Sequence, residues 1–479
     1  MQADDQRAVE SATDKRIAAK GRSFAGQRAT LIGLGTRTHV ALARFLVGHG
    51  AEVTITDSKP EEQLKDEIDL LGGLRVRLSL GGHRLDEILP TDVVFVSPGV
   101  PREIPLLGEL AARGVRISSE IELLFDVCPA PIVGITGSSG KTTTTALVGE
   151  MLVAGGRPAL VGGNIGTPLI GRLEGMSLDS RVVLELSSFQ LEHLRRSPSI
   201  GAVLNITPNH LDRHHTFERY VDAKSNLVRY QRESDYAVLG FDDPAARGLA
   251  SVCSGRVLGF SQQAALQQGT YRHGDQLVSR WGGGEEAICN VREVKLRGQH
   301  NLYNVLAAAA VARADGVSLE AIRRVATSFR GVEHRLEIVA EIDGVRYVND
   351  SIATSPERAL AALRSFEEPI VLIAGGRSKH LPLDALAVEI GRRAKALVTL
   401  GEMAEEVEAA VRDGGGSMLP VWRCQEMAEA VRRAAACAEP GDVVLLSPGG
   451  TSFDQFRDFE ERGRRFREVV GELARRRGV

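Results

Sequence analysis

Three stretches of the 479-residue chain begin alike, with a short run of β-branched and other apolar residues, a Gly-rich turn and then a helix-forming segment. The first is ATLIGLGTRTHVALARFLVGHG (29–50), followed by the strand-like EVTITD (52–57). The second is PIVGITGSSGKTTTTALVGEML (131–152), with further apolar runs at VVLELSS (182–188) and IGAVLNIT (200–207). The third is EEPIVLIAGG (367–376), backed by ALVTLG (396–401) and DVVLLSPGG (442–450). Near-continuous apolar strands alternating with helices mark parallel β-α-β units, whose strands are covered on both faces. The pattern predicts three α/β domains in series, over 21–128, 129–331 and 332–479.

The pattern breaks between 240 and 298, where FDDPAARG, SQQAALQQG and WGGGEE read as turns between weak strand runs. An antiparallel excursion from the central domain is expected there. QHNLYNVLAAAAVARADG (299–316) then reads as an Ala-rich helix stopped by Gly316.

Composition narrows the partners. Hydrophobic residues make up 43% and charged residues 25%, as in ordinary globular chains. Lys and Arg number 59 against 62 Asp and Glu, so a formal charge of -3 leaves no footprint for nucleic acid and no polybasic membrane anchor. A small-molecule substrate is expected. The five cysteines, at 128, 253, 289, 424 and 437, form no CxxC pair, which fits a reducing cytoplasm better than a disulfide framework or zinc site. The charged first 20 or so residues lack the apolar core of a signal peptide and should be frayed, and no apolar run is long enough to span a bilayer. A cytoplasmic protein without membrane insertion is expected.

The strongest local chemistry is Gly137-Ser138-Ser139-Gly140-Lys141-Thr142-Thr143, directly after the apolar run PIVGIT and before a helix. Such a loop aims backbone N–H groups and a helix N-terminus at phosphate oxygens; Lys141 adds a charge and Thr142 a hydroxyl for Mg²⁺. The loop is a shortened form, because the first Gly of GxxxxGK[ST] would fall on Ile135. Glu185 ends a strand too apolar to hold an unpaired carboxylate, so it should bind metal or else cap the following helix near Ser187 and Ser188. The loop after IGAVLNIT carries His210, Asp212, His214 and His215, any of which could complete a metal shell; His214 and His215 read more simply as solvated, and Lys224 as an ordinary helix-surface lysine. Gly33-Leu34-Gly35 with Asp57 approximates a dinucleotide fingerprint, but Thr38 stands where its third Gly belongs.

Taken in order, TGSSGKTTT, GGNIGTPL, LELSSFQLE, NITPNHLDRH, DAKSNLV, RGQHNLYN, FRGVEHRLE, YVNDSIATSPE and LLSPGGTSFDQF resemble the Mur ligases of peptidoglycan synthesis, over about residues 29 to 470. The similarity is greatest to the branch that adds glutamate to UDP-N-acetylmuramoyl-L-alanine. It implies a Rossmann-like UDP-binding domain, a central P-loop ATPase-type domain and a C-terminal Rossmann-like domain for the amino acid and nucleotide. It further implies a monomer that hinges near Gly331 and binds UDP-MurNAc-L-alanine, glutamate, ATP and two Mg²⁺.

The resemblance also implies residue roles. Gly137 to Thr143 would hold ATP phosphates, with Lys141 on the outer ones. Thr142 and Glu185 would bind the first Mg²⁺ and His210 the second, and Lys224 would be carbamylated by CO₂ into a carboxylate-like ligand. Asn301 and Asn304 would meet adenine and ribose, and Arg335 and Asp350 the nucleotide. Thr36 and Arg37 would lie at the UDP phosphates, Asp57, Ser58 and Lys59 near uridine, Ser97 and Gly99 along the same cleft, and Asn164 at the lactoyl–alanyl arm. Thr354, Lys379, Ser452 and Phe459 would bind glutamate. The chain departs from the usual NDSKAT with Ile352 in place of a lysine, so Arg377 or Lys379 is expected to supply the missing charge, and L-glutamate remains an alternative to D-glutamate. A folylpolyglutamate synthase-like ligase is a more remote reading, because GLG and SPG within 29–100 suit a UDP-gripping domain.

Overall fold

The computed structural model describes residues 24–477 except 35–36, 102, 165–167, 174–175, 193, 297, 380 and 417, and omits the side chains of Arg37 and Asp212. The chain is mixed α/β and divides into two compact units, with the break between Phe329 and Arg330. No described helix is long and apolar enough to cross a membrane.

The first unit carries two sheets. One has five parallel strands, β1 (Arg28–Ile32), β2 (Glu52–Asp57), β3 (Val76–Leu80), β4 (Val93–Val96) and β5 (Arg116–Ser118), in the order β3-β2-β1-β4-β5. The order reverses between β1 and β4, which is where doubly wound sheets open a crevice beyond the strand carboxyl ends. Gly33 and Ser97 follow those two strands. Gly33 has φ +90, and a Cβ on it would press to 2.8 Å from Val100 Cγ2, so this close approach of backbone requires glycine.

The second sheet has nine strands. Its first five are β6 (Ile132–Thr136), β7 (Ala159–Gly163), β8 (Arg181–Glu185), β9 (Ile200–Val203) and β10 (Tyr236–Gly240). The remaining four are β11 (Arg256–Ser261), β12 (Gly269–His273), β13 (Gln276–Trp281) and β14 (Gly284–Asn290). They run in the order β14-β13-β12-β11-β10-β9-β6-β8-β7. The expected antiparallel excursion is only partly so: β10–β11 and β11–β12 pair parallel, and only β12, β13 and β14 are antiparallel. The reason is local. FDDPAARG is not a turn: Asp243 caps a short helix, Pro244–Gly248, by accepting from Ala246 N at 2.7 Å. That helix supplies the crossover a parallel pair needs. One apolar core joins the two sheets, with Leu31, Phe45, Leu124, Leu184 and Leu227 among its members.

The second unit holds β15 (Glu337–Ile342), β16 (Val345–Asn349), β17 (Ile370–Gly375), β18 (Ala394–Leu400), β19 (Val421–Cys424) and β20 (Val443–Gly449), in the order β15-β16-β20-β17-β18-β19. Only β15–β16 is antiparallel. Strand β20 shows why its run is apolar throughout: Val443 and Leu445 face one core with Ala359 and Leu386, and Val444 and Leu446 face another with Val431 and Phe466.

Candidate functional site

Strand β6 ends at Thr136, and the helix Lys141–Ala154 begins four residues beyond Gly137, with Gly140 at φ +80 between them. The loop is held from the neighbouring strand end. Asn205 Oδ1 accepts from Ser139 N at 2.9 Å, Asn205 O accepts from Ser138 N at 2.8 Å, and Thr207 N donates to Ser138 Oγ at 2.9 Å. Lys141 Nζ folds back onto the carbonyls of Gly137 and Ser138, at 2.9 and 3.2 Å. Thr143 follows Thr142 on the first turn of the helix. On the other side Asn304 Oδ1 abuts Gly140 so closely that a Cβ there would collide with it, and Asn304 Nδ2 donates to Asn301 Oδ1 at 3.1 Å. The resemblance assigns Asn301 and Asn304 to adenine and ribose, and the structure sets Asn304 against the phosphate loop; Asn205, in NIT, carries no role in the sequence pattern, yet it clamps the loop.

Glu185, at the end of β8, is buried and gathers two further residues. Thr142 Oγ1 donates to its Oε2 at 2.7 Å and Asn164 Nδ2 to its Oε1 at 3.2 Å. The helix-capping alternative does not apply to it: Ser187 caps the short helix Ser188–Leu191 in a capping box with Gln190. A hydroxyl and a carboxylate side by side at a phosphate loop are hard oxygen donors, the set that suits Mg²⁺. His210 is exposed, in left-handed backbone at φ 53, with its ring 5.1 Å from Phe189. Among the described residues no group of three His, Cys, Asp or Glu is arranged to hold a metal ion.

Two sequence expectations are corrected. Lys224 is not a solvated helix lysine: on the helix Phe217–Arg229 it is 1% exposed, donating to Thr136 Oγ1 and Gly137 O at 3.1 Å each, with its Nζ 4.8 Å from the Tyr220 ring centroid. Burial, with Lys141 nearby adding repulsion, pushes its pKa well below the ordinary lysine range, although Glu185 opposes the shift. His214 is not solvated either. It is buried, its ring stacks on Phe189 at 5.2 Å, and its Nε2 lies 2.9 Å from Ser188 Oγ; His215 is exposed as expected. Tyr220 OH meets Ser138 Oγ at 3.1 Å, so aromatic rings line the path from the His210 loop to the phosphate loop.

In the first sheet Asp57 is largely used by the fold. Its Oδ2 accepts from Leu34 N at 2.7 Å and its Oδ1 from Lys59 N at 2.9 Å, which fixes the β1 loop against the end of β2. Ser97 is buried beside Gly33, whereas Ser58 and Gly99 are exposed. Thr36 and the Arg37 side chain lie outside the described residues.

The second unit builds its own cluster. Asp350, after β16, accepts from Ser447 Oγ at 2.9 Å and Leu336 N at 3.2 Å, and burial raises its pKa to about 7 against the opposing pull of those bonds and of Arg335, itself exposed. Arg462, which sequence reasoning passed over, is 2% exposed and ties the motifs together: it donates to Ser351 Oγ, Ser351 O, Gly450 O and Thr451 O at 2.8 to 3.1 Å. Ser351 Oγ in turn donates to Phe459 O at 2.7 Å, and Ser452 is buried next to the Thr451 contact. His334 packs edge-on to Phe459, with its Nδ1 2.9 Å from Asn349 Nδ2. The cations differ in availability. Arg377 is paired with Glu402 at 2.9 and 3.2 Å, Lys379 is exposed, and Arg358 donates at 3.2 Å to the Ile352 carbonyl, which also accepts from Thr354 N at 2.8 Å.

A phosphate loop over an oxygen-donor pair, with a buried lysine behind it, defines an ATP-using α/β enzyme, and three family models match most of the chain between residues 27 and 450. They are a Mur ligase MurD-like N-terminal domain over 27–119, a Mur ligase middle domain over 135–312 and a Mur ligase glutamate ligase domain over 334–450. The chain belongs to the Mur ligase family. Its relatives include proteins named UDP-N-acetylmuramoylalanine–D-glutamate ligase. That of Symbiobacterium thermophilum is 46% identical over 94% of this chain and 98% of its own, and that of Acetivibrio thermocellus 42% over 93% and 97%. The one from Koribacter versatilis is 42% identical over 94% and 98%. Among solved structures, a UDP-N-acetylmuramate–alanine ligase from Thermotoga maritima matches with TM-score 0.53 at 19% identity, covering 93% of this chain and 99% of that one. MurF from Acinetobacter baumannii matches with TM-score 0.51 at 16% identity, covering 94% and 93%. At such identities they speak for the three-domain fold alone.

Proposed function

We infer that the chain is an ATP-dependent amide ligase that joins D-glutamate to UDP-N-acetylmuramoyl-L-alanine in peptidoglycan precursor synthesis. The observation that carries this reading is the 46% identity, over 94% of the chain, to a ligase of that name; this chain's phosphate loop beside the buried Glu185 supports it. The reaction is placed in the cytoplasm, where ATP and the nucleotide-linked precursor are available.

The chemistry follows from charge. A carboxylate is a poor acyl donor because it would have to expel oxide. Transfer of the ATP γ-phosphoryl group to the terminal carboxylate of the UDP substrate gives an acyl phosphate and ADP; the glutamate amine then attacks the acyl carbon, and phosphate leaves from a tetrahedral intermediate as the amine gives up its proton. Gly137 to Thr143 cradle the phosphates, and Lys141 turns from its loop carbonyls to the outer ones. Thr142 and Glu185 would hold a Mg²⁺ ion, with His210 and Lys224 at a second, and such ions would supply positive charge against the crowded phosphate oxygens. Asn164, already on Glu185, orients the acyl end of the substrate.

Lys224 is suited to carbamylation. A neutral amine has two N–H donors, and the side chain has two acceptors, Thr136 Oγ1 and Gly137 O. Its nitrogen adds to the carbon of CO₂, one N–H proton goes to solvent, and the resulting carboxylate carries the negative charge that a second cation needs. In the second unit Thr354, Lys379, Ser452 and Phe459 receive glutamate, with Arg358 at the Ile352 turn as the cation beside them.

The test is direct. Purified protein with ATP, Mg²⁺ and UDP-MurNAc-L-alanine should release phosphate on addition of D-glutamate and not of L-glutamate, with a product heavier by one glutamyl residue by mass spectrometry. Equal turnover of L-glutamate would overturn the stereochemical assignment, and phosphate release with neither would overturn the ligase reading.

A further inference from the structure

Glu120 is the first residue of the helix Glu120–Val127, and nothing in the fold uses its carboxyl. The helix is already capped, since Ser119 Oγ accepts from Glu122 N at 3.2 Å, and Glu122 itself accepts from Ser118 Oγ at 2.8 Å. Glu120 is 5% exposed and makes no hydrogen bond or ion pair with a described residue. Burial alone, with no charged neighbour contributing, raises its pKa to about 7. A buried carboxyl without a partner is a standing cost to the folded state.

The carboxyl has a place to act. Glu120 lines a small cleft, roomy enough for one water-sized polar group, with Thr38, Val96 and Pro98 from the carboxyl edge of the first sheet, and with Phe189 and Gln190 from the short helix that follows Glu185 in the second. The cavity thus lies within one compact unit, between the strand ends read as the UDP cleft and those that carry the phosphate loop. With no cation beside it, Glu120 would repel a phosphate, so the ligand part that suits it carries neutral N–H and O–H donors. The stretch of UDP-MurNAc-L-alanine between its diphosphate and its reacting carboxylate is an acetamido sugar, which offers both kinds of donor. We propose that Glu120 is a binding residue for this amino sugar, accepting hydrogen bonds from its amide N–H and hydroxyl groups. The proposal rests on the ligase reading above.

The full-length Glu120→Leu and Glu120→Gln variants test it by kinetics, calorimetry and thermal melting. Glu120→Leu should melt at or above the wild-type temperature, because it removes an unpaired polar group, while its KM for UDP-MurNAc-L-alanine rises about tenfold or more, the effect of a lost hydrogen bond to a polarised acceptor. Its KM values for ATP and D-glutamate, and its calorimetric affinity for UDP alone, should be unchanged, and Glu120→Gln should fall between. An unchanged KM in Glu120→Leu would overturn the proposal. So would a lower melting temperature with all three KM values raised, which marks a structural role, or an equal loss of UDP affinity, which marks an effect on the β1 loop. If the wild type fails to ligate glutamate, the ligase reading falls on its own; calorimetry of UDP-MurNAc-L-alanine against the same variants still decides the role of Glu120.

Discussion

Lys224 in the first unit and Arg462 in the second are cations buried almost equally, at 1% and 2% exposure, yet their surroundings make them opposites. Lys224 meets two acceptors and the repulsion of Lys141, and its pKa falls well below the ordinary range. Arg462 donates to four oxygens and feels Asp454 and Asp350, and burial lowers its pKa only to about 10, so it stays charged at neutral pH. Burial disfavours charge in both, but a guanidinium offers five donors in a fixed fork and cannot become a useful nucleophile, whereas an amine can release its proton and react. One buried side chain is a cross-tie; the other meets only two acceptors, as the carbamylation proposed above would require.

The largest effect separating them should come from Lys224→Ala. Phosphate release in the ligase assay is expected to fall about 10³-fold or more while the melting temperature holds or rises, since a costly buried amine is lost. Added short-chain carboxylates should restore part of the rate, and full activity without them would break the carbamate argument. Arg462→Met should do the reverse. It leaves the Ser351 and Gly450 carbonyls without their donor and takes one of two donors from Thr451 O, which keeps Arg377 N, so urea unfolding of the second unit should show a loss of about 3 kcal/mol. A variant as stable as the wild type would mean that the cross-tie is not structural.

The sequence made one of these two residues visible and hid the other. The phosphate loop is legible because strand, Gly-rich loop and helix are contiguous, so Thr142 and Lys141 can be placed from local order alone. Glu185 is legible because a carboxylate in an apolar strand needs a reason. Lys224 gained its weight only from resemblance, since on its helix it looks like any solvated lysine and its buried partners, Thr136 and Gly137, are far away in the chain. Arg462 sits in FEERGRRF, where charged neighbours disguise the one side chain that turns inward, and His214 was masked in the same way by His215 and Asp212. The three-sheet architecture was readable from apolar runs, whereas the parallel β10–β11 pairing was not, because Asp243-Pro244 reads as a turn until it is seen to cap a helix.

A smaller effect sharpens the contrast from the side of Asp350, one of the two carboxylates in the field of Arg462. Its folded pKa of about 7 lies above the ordinary aspartate value of about 3.8, so the folded protein keeps a proton that the unfolded chain releases. Stability contributed by this group is therefore intact below about pH 4 and is lost as pH rises toward 7, by up to about 4 kcal/mol at 1.36 kcal/mol per pKa unit. Asp350→Asn removes the titration. Its gain in unfolding free energy should be large at pH 8 and near zero at pH 4, as read from urea titrations at the two pH values. A gain independent of pH would mean that Asp350 is ionised throughout and that Arg462 is held by an ion pair rather than by carbonyls.

The smallest effect is expected at Arg377, a cation of the same unit that is paired but not buried. Its guanidinium is 35% exposed and grips Glu402, 56% exposed, through two hydrogen bonds of 2.9 and 3.2 Å. Exposed pairs of this kind are screened by water and salt, so Glu402→Gln should change stability by less than about 1 kcal/mol. It also loosens a positive charge near Thr451, and the KM for D-glutamate should fall by no more than about threefold as the Glu402 charge no longer offsets that of Arg377. A stability loss as large as that of Arg462→Met would show that pairing, not burial, governs the cations of this unit, and the distinction drawn between Lys224 and Arg462 would then rest on their chemistry alone.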